Sequence, residues 1–119
     1  MIRVKRVYDQ LEPDDGSRFL VDRLWPRGVK KENLAMDGWL EEVAPSDALR
    51  RWFGHDPASW EEFCHRYETE LENNGEAWLA LLEIARKQDI TLFFSAHDTE
   101  RNNAVVLRAF LVKKLEALH

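Results

Sequence analysis

Two short stretches hold most of the side chains that could do chemistry. Residues 21–28 read VDRLWPRG and bring Asp22, Arg23, Trp25 and Arg27 close together. Residues 95–103 read SAHDTERNN, with Ser95, His97, Asp98 and Asn103 leading into an apolar segment. Guanidinium groups grip carboxylates or phosphates through paired N–H bonds. A helix that starts after Asp98 would add free N–H groups and a positive dipole end. Together the two stretches describe a small anion site, with Arg23 and Arg27 opposite Ser95 and the amides after Asp98. Trp25 or Trp52 would wall it. If there is turnover, Asp22 or Asp98 is the candidate acid/base and the arginines stabilise charge.

Each of these residues also has a purely structural reading. Asp22 can pair with a neighbouring arginine or cap a turn, and Arg23 can sit in a buried ion pair. Trp25-Pro26 can be packing at a bend. Asp98 can be an N-cap, and an Asn pair such as Asn102-Asn103 can bond to a loop. The spacing Ser95-x5-Arg101 imitates the Cys-x5-Arg loop of phosphatases and rhodaneses, but serine replaces the nucleophilic thiolate. AHDTE also has no glycine to let the backbone wrap a phosphate. Ser95, His97 and Asp98 are too near in sequence to form a Ser-His-Asp triad readily. His55-Asp56 and His97-Asp98 lack evident further ligands, so no metal is assigned. Cys64 falls on an apolar helical stripe and reads as a core residue.

Composition bounds what these residues can serve. At 119 residues the chain forms one domain, 1–119. Its 45% hydrophobic and 33% charged residues are those of a soluble globular protein. No apolar run approaches the roughly 20 residues of a membrane span, and MIRVKRVYD contains no apolar leader segment. A single cysteine forms no internal disulfide and fits a reducing cytoplasm. The net charge of -5 argues against a general nucleic-acid binder, although Arg3, Lys5, Arg6, Arg23 and Arg27 allow a local basic patch. The partner expected is therefore a small anionic ligand; no motif specifies a cofactor, and oligomeric state is not readable.

The elements that would position the site follow from periodicity. IRVKRVY reads as a half-exposed edge strand, and LEPDDGS as a turn. RFLV is a short buried strand, stopped by Pro26 and Gly28. From Lys30 to Ala44 two readings stay open, a helix through Met36, Trp39, Leu40 and Val43 or a short strand WLEEV. Ser46 caps a helix over Asp47 to Phe53 that ends at Gly54, and Asp56-Pro57 opens the next. That helix carries Trp60, Phe63, Cys64, Tyr67 and Leu71 on one stripe. Asn73, Asn74 and Gly75 end it before a helix from Glu76 to Lys87. ITLFFSA reads as a central strand covered on both faces. A last helix runs from Thr99 to Leu118 with Leu107, Phe110, Leu111, Leu115 and Leu118 inward. Strands alternating with long helices predict an α/β fold, a small, mainly parallel sheet flanked by helices. In such sheets ligands bind beyond the carboxyl ends of the strands, where both polar stretches fall.

VKRVYD, LVDRLWPRGVKKENL, WLEEVAPSDALRRWFGHDP and LFFSAHDTERNNAVVL resemble the YeaO-like family of small bacterial proteins. The resemblance spans essentially the whole chain and implies an α/β fold without a defined activity. Larger relatives have an Asp-x-Arg segment after the second strand, similar to Asp22 and Arg23. They carry a cysteine-containing segment where this chain has Ser95 and His97. Within the YeaO-like group a lysine or arginine commonly stands at the position of His97. The resemblance thus points to Asp22, Arg23, Arg27, Ser95, Asp98 and Asn103 rather than His97. Beside the anion cleft, a non-catalytic binding or regulatory module for a nucleotide, nucleic acid or protein remains the alternative.

Overall fold

A computed structural model describes residues 1–118. Four strands, β1 (Ile2–Arg6), β2 (Ser17–Leu20), β3 (Gly38–Trp39) and β4 (Ile90–Phe94), lie in the order β1-β4-β2-β3 with every pair parallel. β4 is central because it is apolar on both faces, and all five of its residues are buried. The helices are α1 (Asp47–Phe53), α2 (Trp60–Glu72), α3 (Gly75–Lys87) and α4 (Asn103–Ala117).

The helix cover is one-sided. Ile90, Leu92 and Phe94 of β4 share a core with Phe19, Val21 and the inner faces of all four helices. α2 contributes Phe63, Tyr67 and Leu71, each worth roughly 1.5–3 kcal/mol when fully buried. The opposite face, with Val7, Leu20 and Phe93, is covered by the segment joining β2 to β3, through Trp25, Val29, Leu34 and Met36. That segment resolves the ambiguity from Lys30 to Ala44. It holds single 3-10 turns at Lys31–Asn33 and Glu41–Val43 around the two-residue β3, and no α-helix. The helical spacing there reflects side chains dipping onto a sheet face.

The last helix begins four residues later than its periodicity suggests. Asp98 accepts from the Glu100 and Arg101 N–H groups at 2.9 and 3.0 Å, closing a separate turn. Asn102 then caps α4 by accepting from Val105 N–H at 3.0 Å. At the far end Leu118 is 57% exposed, not inward. The open edge of β1 is blunted: Arg108 Nε donates to the Ile2 carbonyl at 2.6 Å, and Arg6 exchanges backbone and side-chain bonds with Asp9.

Candidate functional site at the carboxyl edge

The ends of β2 and β4 meet. Asp22 Oδ2 accepts from the Ser95 N–H at 3.0 Å and from the Ser95 hydroxyl at 2.8 Å. The Asn103 side-chain amide, at the start of α4, donates to the Val21 carbonyl at 2.9 Å. The Trp39 indole N–H donates to the Asp22 carbonyl at 2.7 Å. Three segments distant in sequence are thereby stitched together around Asp22. Burial pushes the Asp22 carboxyl pKa up, while bonds from Ser95 and Asn103 and attraction from His55 pull in the other direction.

Other predicted site residues are also engaged by the protein. Arg23 donates from Nε to the Pro45 carbonyl at 3.0 Å and from Nη2 to the Ala44 carbonyl at 3.1 Å. The neighbouring Val43 carbonyl accepts from the buried Tyr67 hydroxyl at 2.7 Å, and Ser46 donates its N–H and hydroxyl to Glu70. Burial, with the Asp22 and Glu70 charges, pushes the Tyr67 phenol pKa up, against Arg23. Arg23 therefore ties the end of β2 to the loop before α1. Asp98 also accepts from Arg101 Nη1 at 3.0 Å, and the backbone bonds from Glu100 and Arg101 hold its pKa below the ordinary carboxylate range. It is an ionised turn-former. His97 is exposed and makes no hydrogen bond to Ser95 among the described residues, so no serine–histidine pair forms. Among the described residues no three His, Cys, Asp or Glu side chains gather to hold a metal ion.

The two tryptophans separate. Trp25 donates its indole N–H to the Val29 carbonyl at 2.6 Å and packs edge-on against Trp39, at 5.4 Å between centroids, which connects it to Asp22. Trp52 lies on α1 under the Arg66 guanidinium at 4.1 Å. Four further residues lie at this edge outside the anion site expected from the sequence, although Arg6 belongs to its local basic patch. Arg6, at the end of β1, donates to the Ala96 and Ser95 carbonyls at 2.9 and 3.3 Å and lies 4.8 Å over the Tyr8 ring. Tyr8 in turn donates its hydroxyl to the Arg27 carbonyl at 3.0 Å. Lys31 lies 5.7 Å over Trp25, and Lys30 is exposed beside it. The run from Arg23 to Lys31, four cations without an acid, was the available signal.

Charge pairing differs sharply between the two ends of the sheet. At the amino end the terminal amine pairs with Asp89 at 2.9 Å, and Arg3 reaches Asp14 and Asp89 at 3.8 and 3.6 Å. Lys5 and Arg18 both bind Asp15, at 2.7 and 3.0 Å. At the carboxyl end Arg6, Arg23, Arg27, Lys30 and Lys31 form no ion pair among the described residues. Two surface grooves among the described residues lie elsewhere, one beside Arg3, Lys5 and Asp14, the other between α2 and α4.

No helix of the described residues is long and apolar enough to cross a membrane. No solved structure matches the chain. It is 46% identical to the uncharacterised protein YeaO of Escherichia coli (strain K12) over 110 residues, covering 92% of this chain and 96% of that protein. It is 38% identical over 110 residues to the uncharacterised proteins Mb3100c of Mycobacterium bovis and Rv3073c of Mycobacterium tuberculosis, covering 92% of each chain. The family model DUF488-N3i, described as the inactive DUF488-N3 subclade, matches residues 1–119. The chain belongs to this family, among the YeaO-like small bacterial proteins.

Proposed function

We propose that the chain is a non-catalytic module that binds a small phosphate- or carboxylate-bearing anion at the carboxyl edge of its sheet. The observation that carries this reading is the set of cations there, Arg6, Arg23, Arg27, Lys30 and Lys31, without carboxylate partners in a chain of net charge -5. Unpaired guanidinium and ammonium groups clustered at one edge focus a positive field and favour an anion. Asp22, Ser95, Asn103 and Arg23 serve as the frame, while Arg27, Lys30 and Lys31 are the contacts exposed to the ligand.

The non-catalytic part of the reading has separate support. Ser95 donates its hydroxyl to the Asp22 carboxylate and makes no hydrogen bond to a histidine among the described residues. Asp98 is engaged by backbone amides, and Arg23 by carbonyls. The family description as an inactive subclade agrees with this arrangement. A second reading, that Asp22, Arg23 and Asn103 are a structural network, is favoured by the same bonds and is compatible with the frame role.

The experiment is isothermal titration calorimetry with inorganic phosphate and pyrophosphate, at two salt concentrations. Arg27→Ala is expected to weaken binding about tenfold, the size of one lost charge-assisted contact. Added salt should weaken the wild type more than the variant. Binding that ignores both salt and Arg27→Ala would overturn the anion site. Pyrophosphate turnover would overturn the non-catalytic reading.

A further inference from the structure

We infer that Tyr8 is a stacking platform and that the ligand of the carboxyl edge is a nucleotide unit, its planar ring on Tyr8 and its phosphate on the cations of the 23–31 loop. The inference rests on the anion-binding reading and adds the ligand's class.

The Tyr8 ring is 48% exposed yet held in place from two directions. Its hydroxyl donates to the Arg27 carbonyl at 3.0 Å. One face lies under the Arg6 guanidinium at 4.8 Å, and Arg6 is itself fixed by the Ala96 and Ser95 carbonyls. The order from the sheet outward is therefore strand-end carbonyls, then Arg6, then Tyr8. Ordering an exposed side chain costs entropy, and at Tyr8 the hydrogen bond and the Arg6 contact offset that cost before any ligand arrives. A ring already held in one orientation binds another planar group without that loss. Arg6 behind the ring also leaves a cation close to whatever stacks on it.

The same hydroxyl joins the platform to the cations. Tyr8 bonds to the backbone of Arg27, and Gly28, at φ 74, turns the chain directly after it. Val29 anchors the turn by accepting from the Trp25 indole at 2.6 Å, and Lys31 lies over the same indole. Arg27, Lys30 and Lys31 are exposed. The acid adjoining the platform, Asp9, has one carboxylate oxygen engaged by the Arg6 N–H at 3.2 Å. An aromatic face beside unpaired cations is the combination that accepts a base and its phosphate together. A bare inorganic anion would use the cations and leave the ring idle.

Calorimetry with adenosine 5′-diphosphate, inorganic pyrophosphate and adenosine, on the wild type and on Tyr8→Leu and Tyr8→Phe, tests this. The diphosphate nucleotide should bind at least about tenfold more tightly than pyrophosphate, the contribution of one base–aromatic stack. Tyr8→Leu should erase that margin and leave pyrophosphate binding intact, whereas Tyr8→Phe, which keeps the ring, should retain most of it. A short oligoadenylate separates the two sources of the same chemistry. Tighter binding than the mononucleotide, lost in Tyr8→Leu, identifies a strand; weaker binding identifies a free nucleotide. Equal affinity for the nucleotide and pyrophosphate, unmoved by Tyr8→Leu, would overturn the platform while leaving the anion site standing. Binding of neither would overturn both. If Tyr8→Leu does not fold, the wild-type comparison of nucleotide with pyrophosphate still decides.

Discussion

Replacing Asp15 by asparagine tests whether the amino end of the sheet is where charge serves stability. Asp15 is 1% exposed. One carboxylate oxygen accepts from Lys5 Nζ at 2.7 Å, and the other from Arg18 Nε and the Glu12 N–H, both at 3.0 Å. Burial pushes its pKa up, but these partners together outweigh burial and hold it at about 2, against an ordinary 3.8. At about 1.4 kcal/mol per pH unit, the folded state's preference for the charged form is worth about 2 kcal/mol. Because the folded pKa lies below the unfolded one, this stabilisation is complete above about pH 4 and is lost as pH falls through about 2. Asparagine also leaves Lys5, whose side chain is 14% exposed, with Glu12 at 3.5 Å as its one carboxylate partner among the described residues, beside the Gln10 carbonyl at 3.0 Å. The expected loss at pH 7 is about 3 kcal/mol, the low end for breaking a buried pair. Urea denaturation from pH 2 to pH 7 is the assay. The wild type should lose about 2 kcal/mol more than Asp15→Asn over the acid limb. Parallel acid limbs for the two proteins would refute the reasoning. Ligand affinity should not change, because Asp15 lies at the end of the sheet away from the proposed site.

Three further outcomes are expected. Burial raises the Asp22 pKa, so its charge detracts from stability as pH rises through that raised value; Asp22→Asn, which keeps an oxygen for Ser95, should match the wild type at pH 3 and be at least as stable at pH 7 by urea denaturation. A clear loss at pH 7 would mean the charge is net stabilising. Arg23→Met removes charged donors from the Pro45 and Ala44 carbonyls and should lower stability by about 2–3 kcal/mol, read as a melting-temperature drop of roughly 6–12 °C; an unchanged melt would remove Arg23 from the frame. Gly28→Ala meets open space at φ +74 and should cost only the left-handed penalty of about 1–2 kcal/mol. Gly16→Ala would press a methyl group into the Asp89 carbonyl at φ +69 and should cost clearly more in the same thermal melts; equal losses would contradict that contact.

The local sequence was informative wherever one element supplies its own signal. α2 and α3 follow 3.6-residue apolar spacing, and β4 follows an apolar run whose one polar member is Thr91. Ser46 caps α1 by accepting from Leu49 N–H at 3.2 Å, and Asp56 accepts from Ala58 N–H at 3.0 Å. Gly54 closes α1 in the left-handed conformation. Each depends on residues within one turn of one another, so spacing is enough to read it. The start of α4 is not legible in spacing because Asp98 and Asn102 are both good caps, and only the hydrogen bonds distinguish a turn from the helix proper.

By itself the sequence determined a single α/β domain, most of its helices, its central strand, and the two polar stretches that belong to strand ends. It also held four cations from Arg23 to Lys31 with no acid between them. Only the tertiary structure decided that Asp22 accepts both Ser95 donors, that Arg23 faces backbone carbonyls, and that Asp15 rather than any predicted site residue is the most buried acid. It also decided that helices cover one face of the sheet and a loop the other. The physical reason is that charge has no partner along the chain. Whether a cation is neutralised or left open depends on which strand ends the fold brings together: at the amino end Arg3, Lys5 and Arg18 meet acids, while at the carboxyl end Arg101 pairs with Asp98 but Arg6, Arg23, Arg27, Lys30 and Lys31 form no ion pair among the described residues.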